Sequence, residues 1–500
     1  MSLAIVNARA SVGIGAPPVT VEVHLTNGLP GLAIVGLPEA AVRESKDRVR
    51  GALLSSRFDY PARRMTVNLA PADLPKDGGR FDLPIAIGIL AASGQLPAEP
   101  LASLEFVGEL ALSGALRPVR GALAASLAAR DSERAIVVAE ENGAEAAFVP
   151  GAQVHAAGHL LAVTAHLAGR APLEPVTCMR PTRCTTSTPD LVDVRGQAHA
   201  RRALEVAAAG GHSLLFVGPP GSGKSMLASR LPSILPPLEG DELLEVAAIA
   251  SVSESAWQPG QQVGRPFRAP HHSASSSALV GGGSLPRPGE VSRAHRGVLF
   301  LDELPEFERR VLEVLREPLE SGCVTIARAA RSETFPARFQ LVAAMNPCPC
   351  GYLGESRCNC PEEAVRRYRA RISGPLLDRI DLQVEVPPVE QAALFAVEAD
   401  GESSDAVASR VARARARQSD RQGRLNCELD GAGLKSACEL ATEGQQLLGE
   451  AMQRLGLSAR SLHRVLRVAR TVADLAGEER LEHAHLAEAL GYRGFERAAG

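Results

Sequence analysis

The residues best equipped for chemistry fall in three short runs. The first is Gly218-Pro219-Pro220-Gly221-Ser222-Gly223-Lys224-Ser225, which fits G-x-x-x-x-G-K-[ST] throughout. Glycines at that spacing let backbone N–H groups close around phosphate oxygens, and a helix N-terminus adds positive potential. Lys224 would reach the outer phosphates as a point charge, and Ser225 would ligate Mg2+. The bland alternative is a chance Gly-rich turn, but the apolar run Ser213–Val217 ahead of it supplies the strand that the motif requires. The second run, Val298-Leu-Phe-Leu-Asp302-Glu303, is a buried-strand pattern ending in two carboxylates. Asp302 would hold Mg2+ and Glu303 would polarise an attacking water. Asp-Glu after an apolar run is commonplace alone and gains weight from the phosphate loop before it. The third run, Leu341-Val-Ala-Ala-Met-Asn346-Pro347, ends in an Asn that orients the lytic water or, alternatively, starts a turn before proline.

Cys348, Cys350, Cys358 and Cys360 follow at once, as C-x-C, seven residues, C-x-C. Four thiols so close in an intracellular chain suggest a structural tetrahedral Zn2+. C-x-C is tighter than the usual C-x2-C, and a cysteine-rich loop without metal is the alternative. A metal there would stiffen the strand tip that carries Asn346. Cys178, Cys184, Cys323, Cys427 and Cys438 have no such spacing and read as ordinary thiols.

These runs need a frame. The chain has 500 residues, 45% of them hydrophobic and 22% charged, which suits two to four folded domains. Residues 1–168 mix short strands (Val19–Leu25, Leu32–Val35, Met65–Leu69, Ala135–Val138) with helices (Glu39–Ser55, Leu83–Ala92), an α/β pattern. Residues 169–191 are rich in Pro, Thr and Ser and read as a linker. Over 192–388 strands alternate with helices, as in a parallel-sheet nucleotide-binding domain. Residues 389–500 are helical, with Leu462, Val465, Leu466, Ala469 and Val472 on one face. No uncharged apolar run reaches membrane-spanning length, and the first residues lack a leader's basic start and apolar centre. A cytoplasmic protein without a membrane partner is therefore expected. A net charge of -3 excludes a globally basic nucleic-acid coat, and aromatics at 3% leave few stacking platforms for single strands. Of 54 basic residues only Lys46, Lys76, Lys224 and Lys435 are lysines. Of these, Lys224 is the one whose chemistry a planar guanidinium would not serve.

The three runs, completed by Ser373-Gly-Pro-Leu-Leu-Asp-Arg379-Ile-Asp381, resemble the magnesium-chelatase-like AAA+ ATPases. Arg265-Pro-Phe-Arg-Ala-Pro-His-His-Ser-Ala-Ser275 and Asn68-Leu-Ala-Pro-Ala-Asp-Leu-Pro-Lys76-Asp-Gly78 resemble the ComM/YifB branch, and the likeness covers nearly the whole chain. The resemblance implies a homohexameric DNA helicase that uses ATP and Mg2+. It would drive branch migration on single-stranded and branched DNA during homologous recombination in natural transformation, with recombination proteins as further partners and ATP sites at subunit interfaces. Arg379 matches the arginine finger that reaches the neighbour's γ-phosphate; without the family it reads as an ion pair with Asp378 or Asp381. Arg460 matches the sensor-two arginine, with Arg464 one turn later as its competitor. Residues 266–290 match an insertion expected to be a mobile loop or hairpin. A hairpin near 324–335 matches a pore element in which Arg328 and Arg331 track DNA phosphates, against an ordinary charged hairpin.

Leu74–Arg80 and Gly108–Gly121 resemble the catalytic stretches of Lon proteases. The nucleophile position falls at about Arg80 and the base near Leu123, so a Lon-protease-like domain without a Ser–Lys dyad is expected over 1–168. The implied fold is thus α/β: that domain, an AAA+ P-loop ATPase core over 192–388 and a C-terminal helical lid over 389–500. The alternative function is an ATP-dependent metal-chelatase motor subunit, disfavoured by the Lon-like residues and the Arg265–Ser275 signature. A transcription activator is a third class, with no convincing helix-turn-helix in the sequence. His271-His272, and the row Arg410, Arg413, Arg417 and Arg421, read as ordinary polar surface, with DNA contact the alternative for the histidines and DNA or subunit contact the lesser reading for the arginines.

Overall fold

The computed structural model describes all residues except 1–2, 37–41, 43, 77, 178–188, 254–256, 259–263, 284–285, 329–330, 390–400 and 494–500. Cys178 and Cys184 lie outside the described residues.

The N-terminal part is built on a seven-stranded sheet. Its strands are β1 (Leu3–Arg9), β2 (Pro18–Thr26), β3 (Gly31–Val35), β4 (Arg64–Ala70), β5 (Leu104–Phe106), β6 (Ala135–Ala139) and β7 (Val154–Ala157), in the order β3-β4-β2-β1-β5-β6-β7. β2 runs antiparallel to β1 and β4, and the other neighbours pair in parallel. The strands follow their sequence patterns. β2 and β4 alternate buried and less buried residues, as a half-covered sheet requires, while β6 (Ala-Ile-Val-Val-Ala) is buried on both faces. Helix α1 (Ser45–Ser55) and helix α2 (Asp82–Ala92) follow β3 and β4, and every residue of α2 is buried. Arg9 on β1 and Glu105 on β5 form a buried ion pair at 2.6 Å that ties the two halves of the sheet. Val176 N–H donates to Val154 O at 2.8 Å, so the expected linker is tied to β7 at Val176.

Arg80 is 5% exposed and donates to the backbone carbonyls of Arg9 and Arg120. Leu123 is wholly buried at the start of helix α3 (Ala122–Asp131), just after Arg120. The two positions that the Lon resemblance pairs are thus neighbours in space, occupied by a cation and an alkyl group.

Residues 192–388 carry a second sheet of five parallel strands. After helix α4 (Ala198–Gly210) come β8 (Leu214–Val217), β9 (Phe267–Arg268), β10 (Val298–Leu301), β13 (Gln340–Met345) and β14 (Leu382–Glu385), in the order β9-β10-β13-β8-β14; the antiparallel hairpin β11 (Cys323–Arg328) and β12 (Arg331–Pro336) stands apart. β8, β10 and β13 are buried at every position, which explains why they read as unbroken apolar runs. Helix α5 (Lys224–Ile234) leaves the phosphate-loop run, and helix α6 (Gly240–Ser253) packs against the N-terminal part. That contact buries Leu123, Phe148, Val246 and Trp257, with Phe148 edge-on to Trp257 at 5.4 Å. At its side, Ser251 of α6 donates to the buried carboxylate of Glu145.

Among its described residues the insertion at 266–290 carries a hairpin ladder, one of the two expected forms, and a short helix. A short helix, Ser276–Val280, is capped by Ser275 and followed by a ladder of Gly281–Gly282 against Arg287–Pro288. Leu279 is wholly buried, and Arg268 pairs with Glu290 at 2.6 Å. An apolar anchor and an ion pair hold the segment down despite its composition.

After helix α7 (Glu362–Arg369), the C-terminal part is helical, with helix α8 (Ser404–Gln422) and helix α9 (Ala459–Ala476) packed on α4. The expected apolar face of α9 is real: Val465, Ala469 and Val472 are buried, and Leu462 and Leu466 partly so. The arginine row on α8 differs from a plain solvated face. Arg410 pairs with Glu205 of α4 and with Glu402, and Arg421 pairs with Asp474 of α9 at 2.6 Å, so two of the four join α8 to its neighbouring helices. No described helix is long and apolar enough to cross a membrane.

Candidate nucleotide site

β10, β13 and β8 are adjacent, so the segments after them meet at the carboxyl end of one parallel sheet, the usual place for ligands in such folds. Gly218 ends β8 against β14: a Cβ there would stand 2.1 Å from Val386 O, so glycine is required for the close approach. Lys224 Nζ donates to Gly218 O at 2.8 Å, Pro219 O at 2.9 Å and Asn346 Oδ1 at 3.2 Å. Burial pulls this ammonium below its ordinary range, while Asp302 and Glu303 pull it back. Ser225 Oγ donates to Asp302 Oδ2 at 2.6 Å. A hydroxyl and a carboxylate therefore converge beside a Gly-rich turn at a helix N-terminus, a donor set that fits a phosphate chain with Mg2+.

Glu303 departs from the strand in the left-handed region, with φ 52°. That sharp turn aims its carboxylate at His272, whose Nδ1 lies 3.2 Å from it. His272 also stands edge-on to the buried Phe307, at 6.5 Å between ring centres. The sequence reading treated His272 as polar surface. The missed signal was its place just after β9, the strand beside the Asp302-Glu303 strand.

Arg379 and Arg460 come together with each other, not with Lys224. Arg379 is 7% exposed and donates to Pro375 O at 2.6 Å and to Glu320. Arg460, half-exposed on α9, reaches the same Glu320 oxygen at 2.7 Å. Arg464 bonds Asp381 at 2.5 Å and the Arg379 carbonyl at 2.9 Å, so Arg460 is the more exposed of the two sensor candidates. Asp381 also accepts from the Ser213 backbone N–H, just before β8. Burial opposes the Asp381 carboxylate, but His212, Arg464 and Ser213 hold its pKa well below the usual range. This cluster therefore sits at the amino end of the sheet, a four-residue strand or about 13 Å from the phosphate loop. It lines a cavity of about 870 Å³ that includes Arg265, Arg296, Arg338, Arg415 and Arg467.

Cys348, Cys350, Cys358 and Cys360 converge, with their sulfurs all within 4.8 Å of one another. Arg328 stands opposite Arg331 at the closing rung of the β11–β12 hairpin; the side chains of both lie outside the described residues.

Fold and site together define a P-loop protein of the magnesium-chelatase-like AAA+ class. Three family models match along the chain: "Magnesium chelatase, subunit ChlI" over residues 190–394, "Subunit ChlI of Mg-chelatase" over 21–142 and "Magnesium chelatase, subunit ChlI C-terminal" over 401–493. The chain is 52% identical to Competence protein ComM of Haemophilus influenzae, over 99% of its own length and 98% of the relative's. It is 51% identical to YifB of Escherichia coli with the same coverage, and 45% identical to the Mycobacterium tuberculosis protein Rv2897c over 96% of each chain. The chain belongs to the ComM/YifB family of magnesium-chelatase-like AAA+ proteins.

Proposed function

We propose that the chain is an ATP-hydrolysing DNA motor that works as a ring, a homohexamer, in the cytoplasm. On this reading it moves branched recombination intermediates during DNA uptake. The observation that carries the reading is the division of the ATP machinery between the two ends of one sheet. Lys224, Ser225, Asp302, Glu303 and Asn346 gather at the carboxyl end, while Arg379 and Arg460 gather at the amino end. One subunit cannot close both sets on one nucleotide, whereas head-to-tail neighbours can.

Within a subunit, Gly218 to Gly223 would cradle the phosphates, Lys224 would bind their outer oxygens, and Ser225 and Asp302 would hold Mg2+. That ion supplies charge neutralisation on the phosphoryl oxygens. Glu303 would take a proton from the attacking water, and Asn346, in contact with Lys224, would orient that water. Arg379 and Arg460 of the neighbour would complete the site, adding positive charge where negative charge builds. The relative named for competence supports the setting in DNA uptake. The likeness of Leu74–Arg80 and Gly108–Gly121 to Lon proteases supports a Lon-protease-like N-terminal domain that would serve as a collar, and the buried Arg80 and Leu123 stand where its Ser–Lys dyad would be.

The test is ATP hydrolysis with and without single-stranded and branched DNA, together with movement of a labelled Holliday-type junction and a Lys224→Ala control. DNA stimulation and junction movement, both lost in the control, are expected. Hydrolysis indifferent to DNA, with no junction movement, would count against the motor and favour a chelatase-type subunit.

A further inference from the structure

We propose that Glu320 is a carboxylate latch: it takes the place of a phosphate oxygen between Arg379 and Arg460 and withholds the pair until a phosphate displaces it. That this phosphate belongs to a neighbouring subunit's nucleotide rests on the ATP reading above. Arg379 Nη2 and Arg460 Nη2 both donate to one oxygen, Glu320 Oε1, the second at 2.7 Å. Two guanidiniums from distant segments that converge on one anionic oxygen make a clamp of the kind that binds phosphate.

In this pose the finger is withdrawn. The Arg379 side chain is 6% exposed, whereas those of Arg460 and Glu320 are 54% and 49% exposed. Its main chain is fixed, because Ser213 Oγ donates to Arg379 O at 2.7 Å and Arg464 Nη1 at 2.9 Å. Only the side chain is left to move. Its Nη1 donates to Pro375 O at 2.6 Å, but its Nε is buried with no hydrogen-bond partner among the described residues. A buried donor of a charged group without an acceptor costs stability. A phosphate accepting from Nε and Nη2 side by side would remove that cost.

Glu320 is itself firmly placed. It lies in the last turn of the short helix Arg316–Ser321, which Gly322 closes at φ 69°. Gly322 N–H donates to Pro318 O at 2.9 Å, and Gly322 O accepts from Ala337 N–H at 2.8 Å, at the base of the β11–β12 hairpin. A carboxylate tethered to so fixed a backbone competes at high local concentration. Burial opposes its charge, but Arg379 and Arg460 hold its pKa below the ordinary range, so it stays ionised. Other carboxylates of the cavity are committed elsewhere: Glu242 to Arg265 and Arg296, and Asp381 to Arg464. Arginines outnumber carboxylates in the lining, so an anion that displaces Glu320 enters a positive cavity. A phosphate brings more charge and more acceptor oxygens than a carboxylate, and two guanidinium forks therefore prefer it. When it leaves, the tethered carboxylate returns.

The competition is measured apart from catalysis. Full-length Lys224→Ala protein, whose own phosphate loop is disabled, is titrated with inorganic tripolyphosphate by calorimetry. Adding Glu320→Gln should tighten binding about tenfold, because no tethered carboxylate has to leave. Adding Arg379→Ala as well should cancel the gain. Damage to the fold does not tighten binding, so the gain separates a latch from a merely structural residue. If Glu320→Gln fails to fold, judged by the fluorescence of the buried Trp257, Glu320→Asp takes its place. That variant keeps the charge and shortens the reach, and should give a smaller gain. Equal or weaker binding in the folded variant, or a gain that survives Arg379→Ala, would overturn the latch. With Lys224 intact, Glu320→Gln should lower KM for ATP several-fold at unchanged kcat. Tighter tripolyphosphate binding with an unchanged KM would overturn the assignment to a neighbour's nucleotide and leave a site for a free anion. A wild-type chain that turns over no ATP counts against the ATP reading instead, and the tripolyphosphate titration still decides the latch.

Discussion

Lys224 is one of four lysines among 54 basic residues, and its three neighbours show why an ammonium persists there. Three oxygens from different directions suit a compact tetrahedral donor, whereas a planar guanidinium would overfill the space between Gly218 and Asn346. Lys224→Arg should therefore fail as Lys224→Ala does, with turnover lower by about a hundredfold or more; near-native turnover in the arginine variant would show that charge alone suffices. His272 makes a second residue-scale prediction. Its Nδ1 lies 3.2 Å from the carboxylate of Glu303, and it follows β9 on one side of β10, whereas Asn346 follows β13 on the other. Removing that partner in His272→Ala should raise DNA-free ATP turnover several-fold at unchanged KM, because only the base is released. A fall in turnover, or a change confined to KM, would instead make His272 part of substrate binding. Asp302 and Asn346 were legible because each follows an apolar run, and Lys224 because it closes the Gly-rich motif Gly218–Ser225. His272 and Glu320 were not, since each acts through a residue from a distant segment and neither sits in a periodic pattern.

Among elements, the contact of α3 and α6 carries a pH-sensitive group. Burial pushes the Glu145 carboxyl up to about 7, although Ser251, Asn142 and backbone N–H groups favour its charged form. Its ordinary value is 4.5, so between 4.5 and about 7 the folded chain binds the extra proton. Stability falls as pH rises through that window and stays low above it. Glu145→Gln removes the titration. Its melting temperature should match wild type near pH 4.5 and exceed it at pH 8, by the equivalent of up to about 3 kcal/mol. Equal melting temperatures at both pH values would show that the carboxyl is solvated. The strands and α9 were readable from their apolar periodicity, and the observed ends differ from the expected ones by a residue or so at β8 and α2. The short helix inside the insertion was not, because the segment rests on the single anchor Leu279 and the Arg268–Glu290 pair rather than on a periodic pattern. Likewise, the docking of α9 at the amino end of the sheet depends on the pairing of Arg464 with Asp381 across distant segments.

For the whole molecule, the proposed sharing of half-sites between neighbours would make each inactive variant repairable by the other. Lys224→Ala would spoil the site a subunit holds, and Arg379→Ala the site its neighbour holds. Mixed in equal amounts before assembly, the two inactive proteins should recover about a quarter of wild-type hydrolysis, the share of junctions that pair an intact lysine with an intact arginine. No recovery, with mixed rings verified by mass spectrometry, would mean that both residues serve the same subunit. In the proposed ring the lysine end of one sheet would meet the arginine end of the next, so every junction would point the same way around it. A single ring of that kind has no two-fold axis to exchange its front and back. A strand entering from one side would then meet different surfaces from one entering from the other, and the sense of threading would be inherited from the internal asymmetry of a single folded chain.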